Sequence, residues 1–185
     1  MLSCILFRPS DAEELTLDPT TAHKSLKLSN NNRKVMLATE KQSFPRCPER
    51  FNHWHQVLCR NGLTGNGYWE VKWEGRVYVA VCYGGMRRTG KTFESKFGEN
   101  NQSWVLSCSE AKCFISHNKE RTDLPHGSVS KRVAVYVDCP AGILSFYSIS
   151  SGTLTHLHTF HTTFTEPLYP GFWVESTSSL SLCPL

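Results

Sequence analysis

The sequence predicts an all-β protein, a two-sheet antiparallel β-sandwich, and three observations carry that prediction. From about residue 25 onward the apolar residues recur with period two, the spacing that puts alternate side chains on opposite faces of a strand. The runs are short and separated by Gly, Pro, Asn and Ser, and no stretch sustains a helical period.

The elements follow in order. SLKLS (25–29) and KVMLA (34–38) form a hairpin across Asn30 to Asn32, because Asn tolerates the left-handed backbone of a tight reversal. QVL (56–58) enters a strand with Val57 or Cys59 buried. In YWEVKW (68–73), Trp69, Val71 and Trp73 point to the core while Tyr68, Glu70 and Lys72 point away. VYVAVCY (77–83) is apolar on both faces and reads as a central strand. Further strands are expected at SWVLSC (103–108), CFISH (113–117), RVAVYVD (132–138), ILSFYSI (143–149), LTHLHTF (154–160), LYPGFW (168–173) and SLSLC (179–183). Asp18 to Ala22 is the best helix candidate, with Asp as cap and Pro19 at the first helical position, or else a lone turn. Pro140-Ala141-Gly142 is a hairpin turn whose Gly supplies a positive φ. The irregular stretches are 40–53, 84–101, 118–130 and 161–167, and sandwiches carry their function on such loops.

Composition bounds the function classes. A chain of 185 residues suits one domain with its own core. Its 39 % apolar and 11 % aromatic content is too rich for disorder and too dispersed for membrane spans, so a soluble globular protein is expected. The formal charge of +4 comes from scattered residues, too weak a signal to imply nucleic acid. The N-terminus, MLSCILFRPSDAEE, lacks the basic start and long apolar run of a signal peptide, so the eight cysteines are expected as reduced thiols in the cytoplasm. There the sequon at Asn101 would be silent.

Three groups of residues invite a chemical reading. Cys47, His53, His55 and Cys59 have the spacing C-x5-H-x-H-x3-C, which matches none of the common zinc-finger patterns; packing and surface loop positions are the favoured account over a metal site. His156, His158 and His161 form a second cluster, with the first two expected on one strand face, yet no carboxylate stands near until Glu166. The Gly84-Gly85 and Gly90 loop with Arg87, Arg88 and Lys91 lacks the phosphate-loop spacing and a following helix. Nor does any serine stand in a nucleophile-elbow pattern, and Cys139 beside Asp138 reads as a small residue at a strand end.

LTLDPTTAHKSLKLS, YWEVKW, VDCPAGILSFYSIS, LTHLHTF and EPLYPGF, in that order, resemble the PRY-SPRY domain of tripartite-motif ubiquitin ligases, butyrophilins and fish immune-receptor relatives. The resemblance implies a bent, concanavalin-like sandwich with an N-terminal extension (1–14), a PRY segment (15–65) and a SPRY core (66–185) forming one globular domain. It departs from the family at Cys139, where an aromatic residue is usual. It implies no catalysis, cofactor, metal or small-molecule substrate and no membrane. Its implied task is binding a protein ligand through loops, as the recognition part of an innate-immune ligase or sensor; RNA is the alternative partner. The chain carries no RING Cys-His pattern, so any ubiquitin transfer would fall to other domains.

Aromatic and basic residues dominate interface energetics. On that ground the partner-binding candidates are Phe44 and Arg46; Tyr83, Arg87 and Arg88; Lys96 and Phe97; Asn118 and Lys119, in a stretch reaching Arg121; and Phe172 with Trp173. The competing reading makes Phe97 and Phe172 core residues and the Arg87-Arg88 pair a solvated turn.

Overall fold

In the computed structural model, which describes Ala12, residues 14–40 and residues 42–185, two antiparallel sheets face each other across one core. The strands are β1 (Leu26–Ser29), β2 (Lys34–Leu37), β3 (Gln56–Leu58), β4 (Asn66–Glu74), β5 (Val77–Tyr83), β6 (Ser103–Cys108), β7 (Phe114–His117), β8 (Glu120–Asp123), β9 (Arg132–Asp138), β10 (Ile143–Ser150), β11 (Thr153–His161), β12 (Leu168–Val174) and β13 (Ser179–Leu182). One sheet runs β1-β2-β13-β4-β9-β10-β11 and the other β3-β12-β5-β6-β7-β8. The expected extension at 1–14 lies outside the described residues apart from Ala12 and Glu14.

Alternation sorts each strand. Trp69, Val71 and Trp73 of β4 point into the core, as do Val79 and Val81 of β5, Phe146 of β10 and Phe172 of β12. Each such side chain contributes about 1.5–3 kcal/mol by leaving water. Hairpins fix the register. Asn30, Asn31 and Asn32 all take positive φ between β1 and β2, as the asparagine run predicts. Gly142, at φ 70°, turns β9 into β10; a Cβ there would overlap the Thr162 carbonyl. The only helical element among the described residues outside simple turns is a 3-10 turn at Phe93–Ser95. Asp18 to Ala22 is a turn, held by the Thr20 amide donating to Asp18 Oδ1 at 2.9 Å.

Two expectations need correction. The stretch 118–130 is not wholly irregular, since Asn118 and Lys119 at φ 50° and 68° make a two-residue turn into β8. Its sequence, ERTD, is exposed throughout and pairs on one side only, so no apolar alternation announces it. His156 and His158 do not share a face. The register shifts between Phe146 and Tyr147, so His158 lies opposite inward-facing Phe146 and His156 opposite outward-facing Tyr147.

Candidate interaction surface

The opposing registers of the six-stranded sheet line up one lateral row on its outward face: Gln56 of β3, Trp173 of β12, Tyr78 of β5, Ser107 of β6, Phe114 of β7 and Asp123 of β8. Trp173 and Tyr78 stack 4.3 Å apart at 14°, and Tyr78 meets Phe114 edge-on at 6.2 Å. Trp54, just before β3, extends the strip by leaning on Trp173 at 5.6 Å.

Cations cap both ends of this strip. Lys96 Nζ lies over Trp54 at 5.1 Å and over Trp173 at 5.6 Å, and the Arg121 guanidinium lies 3.4 Å from the Phe114 ring centre. A cation over a ring face gains about 0.5–1 kcal/mol where exposed. Acids nearby hold these cations in place: Lys96 pairs with Glu99 at 3.7 Å, and Arg121 with Asp123 at 3.1 Å. The Asp123 carboxyl titrates below its ordinary range because Lys112 and Arg121 donate to it.

One step along the sheet the same face is closed. Gly171 leaves room for the Phe97 ring, whose tip would lie 2.8 Å from any Cβ placed there. Phe97 packs edge-on against Phe51 at 5.5 Å, and the Gln56 side chain ties this covering loop down by accepting from the Phe97 amide and donating to the Ser95 carbonyl, both at 2.9 Å. The loop therefore covers the face around Gly171 and leaves the aromatic row along its rim. Next to the rim is a depression of about 750 Å³ lined by Trp54, Phe93, Asn118 and Lys119, among others. Phe93 is 56 % exposed there, with Lys119 Nζ 4.6 Å above its ring.

The candidates from sequence divide accordingly. Lys96, Asn118, Lys119 and Trp173 lie on or beside the aromatic row, Trp173 being 8 % exposed and carried by a strand rather than a loop. Phe44 and Arg46 line a second depression of about 530 Å³, where the Arg50 guanidinium lies over Phe44 at 4.7 Å. Arg87 is exposed and pairs with Glu94 at 3.2 Å, while Arg88 is half-buried over Phe51 and donates to the Gly84 carbonyl. Three candidates are packed inside rather than presented to solvent. Phe97 belongs to the covering loop but turns its ring down into the cluster beneath it, while Phe172 on β12 lies between the sheets and Tyr83 ends β5 against Trp104 at 5.4 Å. Trp54, Tyr78, Phe93 and Phe114 were not singled out in the sequence. The one available signal was alternation: Tyr78 and Phe114 sit out of phase with inward-facing Val79 and Ile115.

The histidines of FNHWHQVLC serve packing. His53 meets the Trp54 ring at 4.6 Å and His55 meets buried His23 at 4.8 Å. Burial and the neighbouring His55 push His23 down to about 4, and its Nδ1 accepts from the Ser25 amide, the role of a neutral ring. Cys59 is in the core, and burial raises its thiol. Among the described residues no group of three or more His, Cys, Asp or Glu side chains is arranged to hold a metal ion.

Residues 15–63 match the family model of the SPRY-associated PRY domain and residues 66–184 that of the SPRY domain. The chain is 42 % identical over 163 residues to stonustoxin subunit beta of Synanceia horrida, a match covering 87 % of this chain and 23 % of the toxin subunit. It is 36 % identical to tripartite motif-containing protein 16 of Mus musculus, covering 88 % of this chain and 30 % of that protein. The chain thus spans about a quarter to a third of the length of these relatives. The crystal structure of the TRIM65 PSpry domain superposes with a TM-score of 0.86 at 30 % identity, covering 95 % of this chain and 92 % of that domain. The stonustoxin structure superposes at 0.87 with 37 % identity, covering 94 % of this chain and 29 % of the toxin chain.

Proposed function

This chain belongs to the PRY-SPRY family, and from that premise we propose that it recognises a protein ligand on the aromatic row and adjoining depression of its six-stranded sheet. The observation that carries the reading is the stacked Trp173–Tyr78 pair with Lys96 and Arg121 at its ends. Rings already stacked lose little freedom on binding, and such preorganised aromatic and arginine anchors are the groups that dominate interface energies. The relatives named for tripartite motifs support a role as the recognition part of an innate-immune ubiquitin ligase or sensor acting in the cytoplasm. Nothing in the row suits bond-making chemistry, and we assign the domain no enzymatic step.

A second reading rests on the relatives named as toxin subunits, which reach 42 % identity against 36 % for the mouse tripartite-motif protein. In that reading the chain is the corresponding domain of a toxin-like polypeptide, and the same surface serves assembly or target binding.

The test is capture of partners from cell extract by the wild-type chain and by Arg121→Glu and Lys96→Glu variants, with Glu70→Gln on the opposite face as control. Partners retained by Glu70→Gln and lost by the reversals are expected. Equal capture by all four proteins refutes the surface. Capture of RNA, falling steeply with salt as phosphate contacts release counterions, would replace the protein ligand with the nucleic-acid alternative.

A further inference from the structure

The β6–β7 hairpin places two thiols at its open end. The register Trp104↔His117, Leu106↔Ile115, Ser107↔Phe114 continues to set Cys108 directly opposite Cys113. Antiparallel partners have Cα atoms about 4.5–5.5 Å apart, inside the range a disulfide spans without backbone movement. Both side chains face the core side with Leu106 and Ile115. Their surroundings differ. Cys108 is fully buried, whereas Cys113 is half-buried at the rim, and both are reduced. The four residues between them form a closed loop, with the Ser109 hydroxyl donating to the Lys112 carbonyl at 2.6 Å and accepting from the Lys112 amide at 3.0 Å.

We propose that Cys108 and Cys113 are a redox-active dithiol, in which Cys113 is oxidised by a hydroperoxide and Cys108 resolves it into a cross-strand disulfide.

The electrostatics fit this division of labour. The neighbouring Cys108 thiol is the main cause that brings Cys113 down to about 6, with Lys131 and His126 adding to it. Lys131 lies over the Trp73 ring at 4.0 Å and pairs with Glu110 in the hairpin loop. Burial and the hydrogen bond to Cys113 push Cys108 the other way, well up. The accessible sulfur, which as a thiol donates to the Ser109 carbonyl at 3.5 Å, is therefore the one that ionises more readily and attacks, and the enclosed one keeps its proton until needed.

The Cys113 thiolate attacks an oxygen of the hydroperoxide. An S–O bond forms as the O–O bond breaks, the alkoxide leaves and takes a solvent proton to become the alcohol, and Cys113 becomes a sulfenic acid. The Cys108 sulfur then attacks the Cys113 sulfur; the S–S bond forms, the S–O bond breaks, and the departing hydroxide takes the Cys108 proton as water. Two electrons have passed from the sulfur pair to the peroxide, and two equivalents of a small thiol return them by exchange, the first forming a mixed disulfide and the second displacing the protein thiol and leaving as the small thiol's own disulfide. The closed pair clamps the strand end beside Phe114, whichever ligand the outward row takes.

Hydrogen peroxide is the probe. With the whole chain treated at equimolar peroxide, differential alkylation and peptide mapping are expected to show Cys108 and Cys113 becoming protected together, reversibly by dithiothreitol, before Cys47, Cys59, Cys82, Cys139 or Cys183. In Cys108→Ala, Cys113 is expected to accumulate as a sulfenic acid trapped by dimedone. Cys113→Ser, altering only the half-buried partner, leaves Cys108 unreacted. Untreated protein supplies a check that needs no variant: at pH 7 Cys113 is expected to react with iodoacetamide at least about tenfold faster than half-buried Cys183, whose thiol burial raises. Equal rates, pairing of Cys113 with any other cysteine, or passage of Cys113 to sulfinic acid while Cys108 stays a free thiol would each overturn the proposal.

Discussion

The outward faces of the two sheets follow the same alternation and end in different states. On the seven-stranded sheet Tyr68, Ala134 and Tyr147 form a small buried cluster beside a satisfied charge: Glu70 accepts from the Tyr68 hydroxyl at 2.7 Å and from Arg132 Nε at 2.6 Å, and its side chain is only 15 % exposed. Burial and that hydrogen bond raise the Tyr68 hydroxyl, which therefore stays protonated at any physiological pH. On the six-stranded sheet an aromatic row lies beside the part of the face that is roofed by the loop carrying Phe97. The roof stops short of Trp173, Tyr78 and Phe114. Charges are paired on both faces, so what separates them is the exposed apolar surface: Phe93, 56 % exposed at the rim of the depression, can gain by further burial.

The comparison breaks most directly at the roof. Phe97→Ala empties the pocket above Gly171, and the loss of a buried phenylalanine costs about 3–5 kcal/mol. In a chain of this size that lowers the melting temperature by about 6–20 °C. Calorimetry checks it, and an unchanged midpoint would return Phe97 to the surface, where the sequence-based reading first put it.

Acid should loosen the same edge. His23 anchors β3, its amide donating to the Gln56 carbonyl at 3.0 Å, and Gln56 in turn holds the roof. The ordinary histidine value is 6.5 and the folded value about 4, so between these the unfolded chain binds the extra proton. Stability is fully present above pH 6.5 and is lost as pH falls toward 4, by on the order of 2–3 kcal/mol. His55, also lowered by burial, pulls in the same direction. Urea midpoints from pH 7 to pH 4 measure this slope, and His23→Gln should remove most of it.

These two residues show what the sequence discloses and what it withholds. Every apolar-alternating strand was legible from its period, and the hairpins from Asn30–Asn32 and from Gly142, because those signals are local. β8 was not, since an exposed edge strand buries nothing and needs no apolar face. The candidate site was legible only in part. Lys96, Asn118 and Lys119 stand out as loop residues, but whether Phe97 and Phe172 face out or in depends on which segment lies over them. The bulge that separates His156 from His158 is likewise a property of the pairing with β10. Trp173, Tyr78 and Phe114 come together through registers between strands far apart in the chain, which no window of sequence contains.

A smaller effect is expected on the opposite face. Glu70→Gln removes the charge that Arg132 and Tyr68 share, costing about 1–2 kcal/mol by urea unfolding, because hydrogen bonds to a partly buried charge are worth about that much. Ligand capture should not change. A variant that unfolds no more easily but loses its partner would mean that the paired face, and not the aromatic one, is where recognition happens.

The smallest stability effect belongs to the residue with most to say about binding. Phe93 is 56 % exposed on the 3-10 turn with Lys119 above its ring, and its carbonyl accepts from the Lys96 amide at 3.1 Å and from the Asn100 side-chain amide at 3.0 Å. Phe93→Ala keeps that carbonyl, so unfolding should shift by less than about 0.5 kcal/mol. An aromatic ring beside a depression of about 750 Å³ is nonetheless the kind of anchor whose truncation costs a complex about 2 kcal/mol or more. The two readouts must therefore diverge for Phe93, as they converge for Phe97. If capture by Phe93→Ala equals that of wild type, the open rim is merely uncovered surface, and the functional difference between the two faces disappears with it.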